Sequence, residues 1–187
     1  FLTNHSFINS CAVTNEAVKQ SRRAIRKEKR NNPTNKIVVT GCAAELYPSE
    51  FIDMPEVDIV IGNDDKTKSS TFMNLAQIDD ADNEVVEFMH EDPPFINNFD
   101  NRTRAFVQIQ NGCDHRCTFC IIPHARGNSR SLDERHIIKQ IQTLIDKGYQ
   151  EIILTGVDIT SYGKDLNEET NLGILIKLSL IHISEPT

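Results

Sequence analysis

The chain has 187 residues, is 39% hydrophobic and 25% charged, and sets 20 Lys and Arg against 27 Asp and Glu, a formal net charge of −7. That length permits one domain or two small ones, and the acidic balance argues against wholesale nucleic-acid binding. No apolar run approaches the ~20 residues of a membrane span, so no membrane partner is expected.

The N-terminus, Phe1-Leu2-Thr3-Asn4-His5, has no initiator Met, charged n-region or signal-type apolar core and reads as a chain already in progress. Ser6–Asn9 is a short strand candidate ending at Ser10-Cys11. Thr14 is placed to cap a helix running to about Arg30, with Asn31-Asn32-Pro33 as its stop. Between Lys19 and Arg30 this helix carries seven cations against Glu28 alone, +6 in twelve residues. Such a run is either a solvated helix face or a phosphate-contacting patch for RNA. Lys36–Thr40 is β-branched and reads as a buried strand, followed at once by Gly41-Cys42. Pro48–Ile52 suits a short helix, and Val57–Ile61 another strand closed by Gly62. Strands alternating with helices imply a parallel sheet. Ligands gather at the carboxyl ends of such strands, and Cys11 and Cys42 each lie just past one; buried structural cysteines are the plainer alternative.

From Asp79 to Asn101 the composition turns acidic and Pro-bearing, which predicts a linker with one edge strand at Glu84–Phe88. The next segment predicts a βαβ unit. Ala105–Ile109 is its first strand. Ser131 is expected to cap the following helix, with Glu134 completing a capping box. Ile137, Ile138, Ile141, Leu144 and Ile145 form the buried stripe, and Gly148 is the stop. Glu151–Thr155 is the second strand, and Gly156-Val157-Asp158 its outgoing loop. The two outgoing loops of a βαβ unit share one face, the face that carries chemistry in α/β barrels.

The loop after the first strand holds Cys113, Cys117 and Cys120, three thiols in eight residues. The pattern in an odd, clustered set of five cysteines favours metal or redox work in a reducing compartment, hence a cytoplasmic location. A closed structural metal site takes four protein ligands, whereas a site one ligand short keeps a position open; tightly spaced thiolates also suit iron–sulfur clusters. A zinc site completed by His115 or a distant residue, in a non-catalytic metal-binding module, is the rival reading.

The Cys-x-x-x-Cys-x-x-Cys spacing, with Phe119 before the last cysteine and Ile121-Ile122-Pro123 after it, resembles the motif of the radical S-adenosylmethionine (SAM) enzymes. In that family a 4Fe-4S cluster on three cysteines leaves one iron to chelate SAM, and an electron from the cluster cleaves SAM to a 5′-deoxyadenosyl radical. Asn9–Thr14 and Thr40–Ala44, taken with this motif, are similar to the methylthiotransferase branch. The resemblance implies an α/β class chain: residues 1–78 an N-terminal parallel α/β methylthiotransferase domain, truncated; 79–101 the acidic linker; 102–177 the start of a radical SAM partial (β/α) barrel.

It further implies two 4Fe-4S clusters in the full-length protein, one on Cys113, Cys117 and Cys120 and an auxiliary one on Cys11, Cys42 and a third cysteine upstream of this chain. SAM is the implied cofactor. Phe119 packs near cluster and adenine in this picture, Gly156, Val157 and Asp158 near the SAM amino acid moiety, and Arg126, with Arg130, near its carboxylate or an RNA phosphate. Tyr162 either stacks on a base or fills the core. The Leu154–Gly163 stretch resembles the subgroup that methylthiolates C2 of N6-threonylcarbamoyladenosine beside the tRNA anticodon; sister enzymes act on isopentenyladenosine or on a ribosomal-protein aspartate. A tRNA substrate and an external electron donor are the implied partners. Residues 178–187 look like the translation of a sequencing adapter, and the fragment by itself is expected to be inactive.

Overall fold

The computed structural model describes residues 4–75, 103–166 and 169–181. Two compact units form, one from residues 1–94 with 118–126, the other from 95–117 with 127–187. The linker and edge strand expected within 79–101 lie outside the described residues.

In the first unit the order is β1 (His5–Ser10), α1 (Asn15–Asn31), β2 (Lys36–Gly41), α2 (Cys42–Leu46), α3 (Pro48–Ile52), β3 (Ile59–Val60) and α4 (Ser69–Leu75). The strands form a parallel sheet in the order β1-β2-β3. β2 is central, and Ile37, Val38 and Val39 are fully buried, as a parallel strand covered on both faces requires. Thr14 caps α1 as its sequence predicts, accepting from the Ala17 amide at 3.1 Å. From α1, Ile25 enters a core with Val39, Ala43, Phe51 and Val60. The charged face of α1 is tied to its own unit: Arg22 pairs with Glu50, Arg23 with Glu16, Arg26 with Glu56 and Lys29 with Asp58.

β3 is shorter than the expected Val57–Ile61. Backbone bonds nonetheless flank it, from the Asp58 amide to the Ile37 carbonyl at 3.0 Å and from the Ile61 amide to the Val39 carbonyl at 2.8 Å, while the Asp58 carboxylate accepts from the Ile37 amide at 2.7 Å and from Lys29 at 3.1 Å.

The second unit opens with β4 (Arg104–Gln108) and β5 (Gln110–Asn111); α5 (Ile122–Arg126) interrupts it and packs on α2 in the first unit. It resumes with β6 (Arg130–Ser131), α6 (Glu134–Asp146), β7 (Glu151–Thr155) and α7 (Leu172–Ile181). β4 and β7 pair in parallel from Arg104↔Glu151 to Gln108↔Thr155, completing the predicted βαβ unit around α6. Ile137 and Leu144 are fully buried and Ile141 nearly so, against Ala105, Val107 and Ile109. Gly148 ends α6, donating to the Ile145 carbonyl at 2.8 Å. The expected α/β class is borne out, and the described residues form no closed barrel. α7 continues past residue 177 to Ile181.

One expectation needs correction, and one open alternative is decided. Ser131 does not cap α6. It lies in β6, antiparallel to β5, and its hydroxyl donates to Asp165 at 2.6 Å and accepts from the Gly163 amide at 2.9 Å. The cap is Asp133, whose carboxylate accepts from the Arg135 and His136 amides at 2.8 and 3.4 Å, a charged acceptor at the positive end of the helix. Glu134 consequently completes no capping box and accepts from Thr170 instead. Tyr162 is a core residue and not a stacking platform: it is 1% exposed, and its hydroxyl donates to the Leu132 carbonyl at 3.0 Å.

Asp133→Ala should therefore destabilise the second unit by about 1 kcal/mol in urea denaturation. Burial, with Glu134, Asp133 and Asp165 nearby, pushes the Tyr162 phenol up from 10.0 to about 12. The folded chain thus holds this proton to higher pH than the unfolded one, and stability falls as pH rises from 10 towards 12. Tyr162→Phe should cost about 1 kcal/mol at neutral pH, and thermal melts should show its deficit shrinking above pH 10.

Candidate metal and cofactor site

In the first unit the pairing Ser10↔Gly41 ends β1 and β2 together, so Cys11 and Cys42 begin adjacent exits at the same sheet edge. Ser10 fixes this edge. Its buried hydroxyl donates to the Thr40 carbonyl at 2.7 Å and accepts from the Ala44 amide at 3.0 Å, which sets the start of α2 and hence Cys42. Cys11 is exposed and Cys42 buried. Asn63, just past β3, donates to the Cys42 sulfur at 3.7 Å and to the Ala125 carbonyl of α5 at 2.8 Å. Lys66 reaches Asn63 Oδ1 at 2.9 Å and Asn9 Oδ1 at 3.4 Å. Burial pushes the Lys66 ammonium pKa down, an effect opposed by Cys42 and assisted by Arg126. Neither Asn63 nor Lys66 was singled out in the sequence; the signal available was Gly62-Asn63 following a strand as Gly41-Cys42 does.

In the second unit Gly112 opens the cysteine loop at φ +73, and a Cβ there would lie 1.9 Å from the Asn128 carbonyl oxygen. The loop's two stems are held together at that point. The Cys113 amide donates to Gly127 at 3.1 Å, the Ser129 amide to Asp114 at 2.9 Å, and Arg116 donates to the Cys113 carbonyl at 2.9 Å and to Asn128 at 2.5 Å.

The pairing Gln108↔Thr155 brings this loop's first stem beside the Gly156–Asp158 loop. His115 Nε2 lies 3.3 Å from Asp158 Oδ2. Hydroxyls of Ser161 and Thr160 donate to the Asp158 carboxylate at 2.7 and 2.8 Å and hold its pKa below the ordinary carboxylate range, with His115 adding to the effect. Asp158 is therefore ionised at neutral pH, a fixed acceptor on the rim.

The five cysteines are all free thiols. Cys113 and Cys120 are partly exposed, Cys117 is exposed, and Phe119 presents 94% of its surface. Arg126 ends α5 in the first unit, half-buried. Among the described residues no three His, Cys, Asp or Glu side chains converge as a metal site. The donor set nonetheless fits an iron–sulfur cluster by its chemistry, three soft sulfur ligands within eight residues.

Gly112→Ala should displace the loop and abolish iron incorporation on anaerobic reconstitution, read as iron and sulfide per chain. Gly148→Ala, also at positive φ but with open space around its Cβ, should cost about 1–2 kcal/mol of stability and keep the iron.

Two family models match the chain: "Uncharacterized protein family UPF0004" over residues 3–62 and "Radical SAM superfamily" over residues 107–184. Among relatives, the threonylcarbamoyladenosine tRNA methylthiotransferase MtaB of Rickettsia prowazekii is 45% identical over 184 residues, 98% of this chain and 44% of that protein. Its namesake in Bacillus subtilis is 42% identical over 176 residues, 91% of this chain and 39% of that protein. The ribosomal protein uS12 methylthiotransferase RimO of Desulfotalea psychrophila is 31% identical over 193 residues, 96% of this chain and 42% of that protein. The chain spans under half the length of each of these relatives. With both family regions in this order, and the cysteine loop inside the second, the chain belongs to the radical SAM methylthiotransferases.

Proposed function

We propose that the full-length protein inserts a methylthio group at C2 of N6-threonylcarbamoyladenosine beside the anticodon of tRNA, using SAM and two 4Fe-4S clusters. The observation that carries this reading is the similarity of nearly the whole chain to proteins named for that activity. The relative named for a ribosomal protein, at 31% identity, supports a sister substrate as the second reading.

Cys113, Cys117 and Cys120 hold the first cluster, and Cys11 and Cys42, with a third ligand from elsewhere in the full-length protein, hold the second. When bound, the first cluster supplies the electron that cleaves SAM, and with it the means to attack an unactivated C–H bond. The chain's own residues bind and orient. Asp158, an anion held by two hydroxyls, is an acceptor for the SAM ammonium, with Gly156 and Val157 forming the adjoining rim. Phe119 offers an exposed ring for the adenine, and Arg126 a cation for a carboxylate or phosphate. Near the second cluster Asn63 donates towards the Cys42 sulfur, the type of contact that tunes a cluster's potential. The enzyme works in the cytoplasm and draws on an external electron donor; no helix among the described residues is long and apolar enough to cross a membrane.

A reconstituted chain should give an electron paramagnetic resonance spectrum that shifts on adding SAM; a spectrum indifferent to SAM identifies a non-catalytic metal module. The full-length gene in a deletion strain should restore methylthiolated threonylcarbamoyladenosine to tRNA hydrolysates by mass spectrometry. Restoration of methylthiolated isopentenyladenosine, or of the modified ribosomal protein, would move the assignment to a sister enzyme.

A further inference from the structure

Gln110 is 1% exposed, a buried side-chain amide at the junction of β5 and the cysteine loop. Its Nε2 donates to the Asn111 carbonyl at 3.0 Å, the Gly112 carbonyl at 2.8 Å and Ser129 Oγ at 2.9 Å. Its Oε1 accepts from the backbone amides of Val157 and Asp158, both at 2.9 Å. The amide's orientation follows from its neighbours: carbonyl oxygens at one end demand donors, and N–H groups at the other demand an acceptor. Gly156 lies so close that a Cβ on it would stand 3.0 Å from Gln110 Oε1.

Of the twenty side chains, Gln and Asn alone combine a two-proton donor with a carbonyl acceptor on one planar head. Glu offers acceptors only, facing two carbonyl oxygens; Met fills similar volume and offers neither. Both stems of the cysteine loop are gripped, the first through Asn111 and Gly112, the second through Ser129. The third contact is the loop that carries Asp158. A buried amide satisfied on every side is costly to disturb, which makes it a rigid link.

We propose that Gln110 is a positioning residue that clamps both stems of the cysteine loop to the Gly156–Asp158 loop, so that the thiols of Cys113 and Cys117 and the Asp158 carboxylate are held in a fixed relation for SAM. The inference rests on the radical SAM reading above. The contact of His115 with Asp158 is the same relation seen at the far side of the two loops.

The test uses the 187-residue chain in two states. In the chain without iron, amide hydrogen exchange at Val157 and Asp158 should quicken at least ~10-fold in Gln110→Met and stay slow in Gln110→Glu, which keeps the acceptor. In the reconstituted chain, the SAM dissociation constant should rise about 10–100-fold in both variants, the usual cost of losing an outer-shell partner. Ser129→Ala, which removes one of three acceptors for Nε2, should raise it roughly 3-fold and replaces either variant should that variant fail to fold or to hold iron. Unchanged exchange in Gln110→Met overturns the clamp. An unchanged dissociation constant in the variants that fold and hold iron overturns the positioning role. A wild-type chain whose cluster ignores SAM overturns the functional reading instead, and the exchange arm still decides the clamp.

Discussion

Parallel pairing is the constraint on which the rest depends. Two parallel strands bonded along their length end at the same edge, and whatever follows each is forced to that edge with it. The chain applies this twice. Ser10↔Gly41 sets the exits bearing Cys11 and Cys42 side by side, and Gln108↔Thr155 does the same for the cysteine-loop stem and the Gly156–Asp158 loop. In both units backbone ladder bonds bring the cysteine-bearing segments to the sheet edge.

Ladders place segments to within a strand spacing, and buried polar side chains refine the placement. Ser10 in the first unit and Gln110 in the second have this part in common: each is almost wholly buried and bridges backbone groups from different segments. Ser10 ends β1 just before Cys11, and Gln110 opens the short β5 that leads to Cys113. Part of the refinement is therefore built into these strands, while Phe119 and Cys117 of the loop stay exposed.

Much of the architecture was legible in the residues. A cap and a stop located α1, a buried stripe located α6, a β-branched run located β2, and Gly148 marked a helix end, because these signals depend on neighbours close in the chain. The misreadings have one cause. Ser131 and Asp133 both suit an N-cap by type, and the choice was made by Asp165 and Gly163, more than thirty positions away, which claim the serine hydroxyl. Next to β3 the Asp58 carboxylate takes the Ile37 amide, a partner 21 positions away. The cysteine positions were visible as a motif, whereas Asn63 and Gln110 were not picked out as site residues, since a polar side chain reveals its use only when its partners are assembled around it.

The ion pairs along α1 alter how this basic helix acts at a distance. Its seven cations sit with Glu28 and with the four carboxylates of Glu16, Glu50, Glu56 and Asp58, leaving a surplus of two in a chain of net charge −7. Beyond a Debye length of about 8–10 Å that surplus is screened. The helix accordingly exerts little long-range pull on a polyanion. A polyanion meeting this face gains little electrostatic steering, and the rate of such an encounter depends only shallowly on ionic strength.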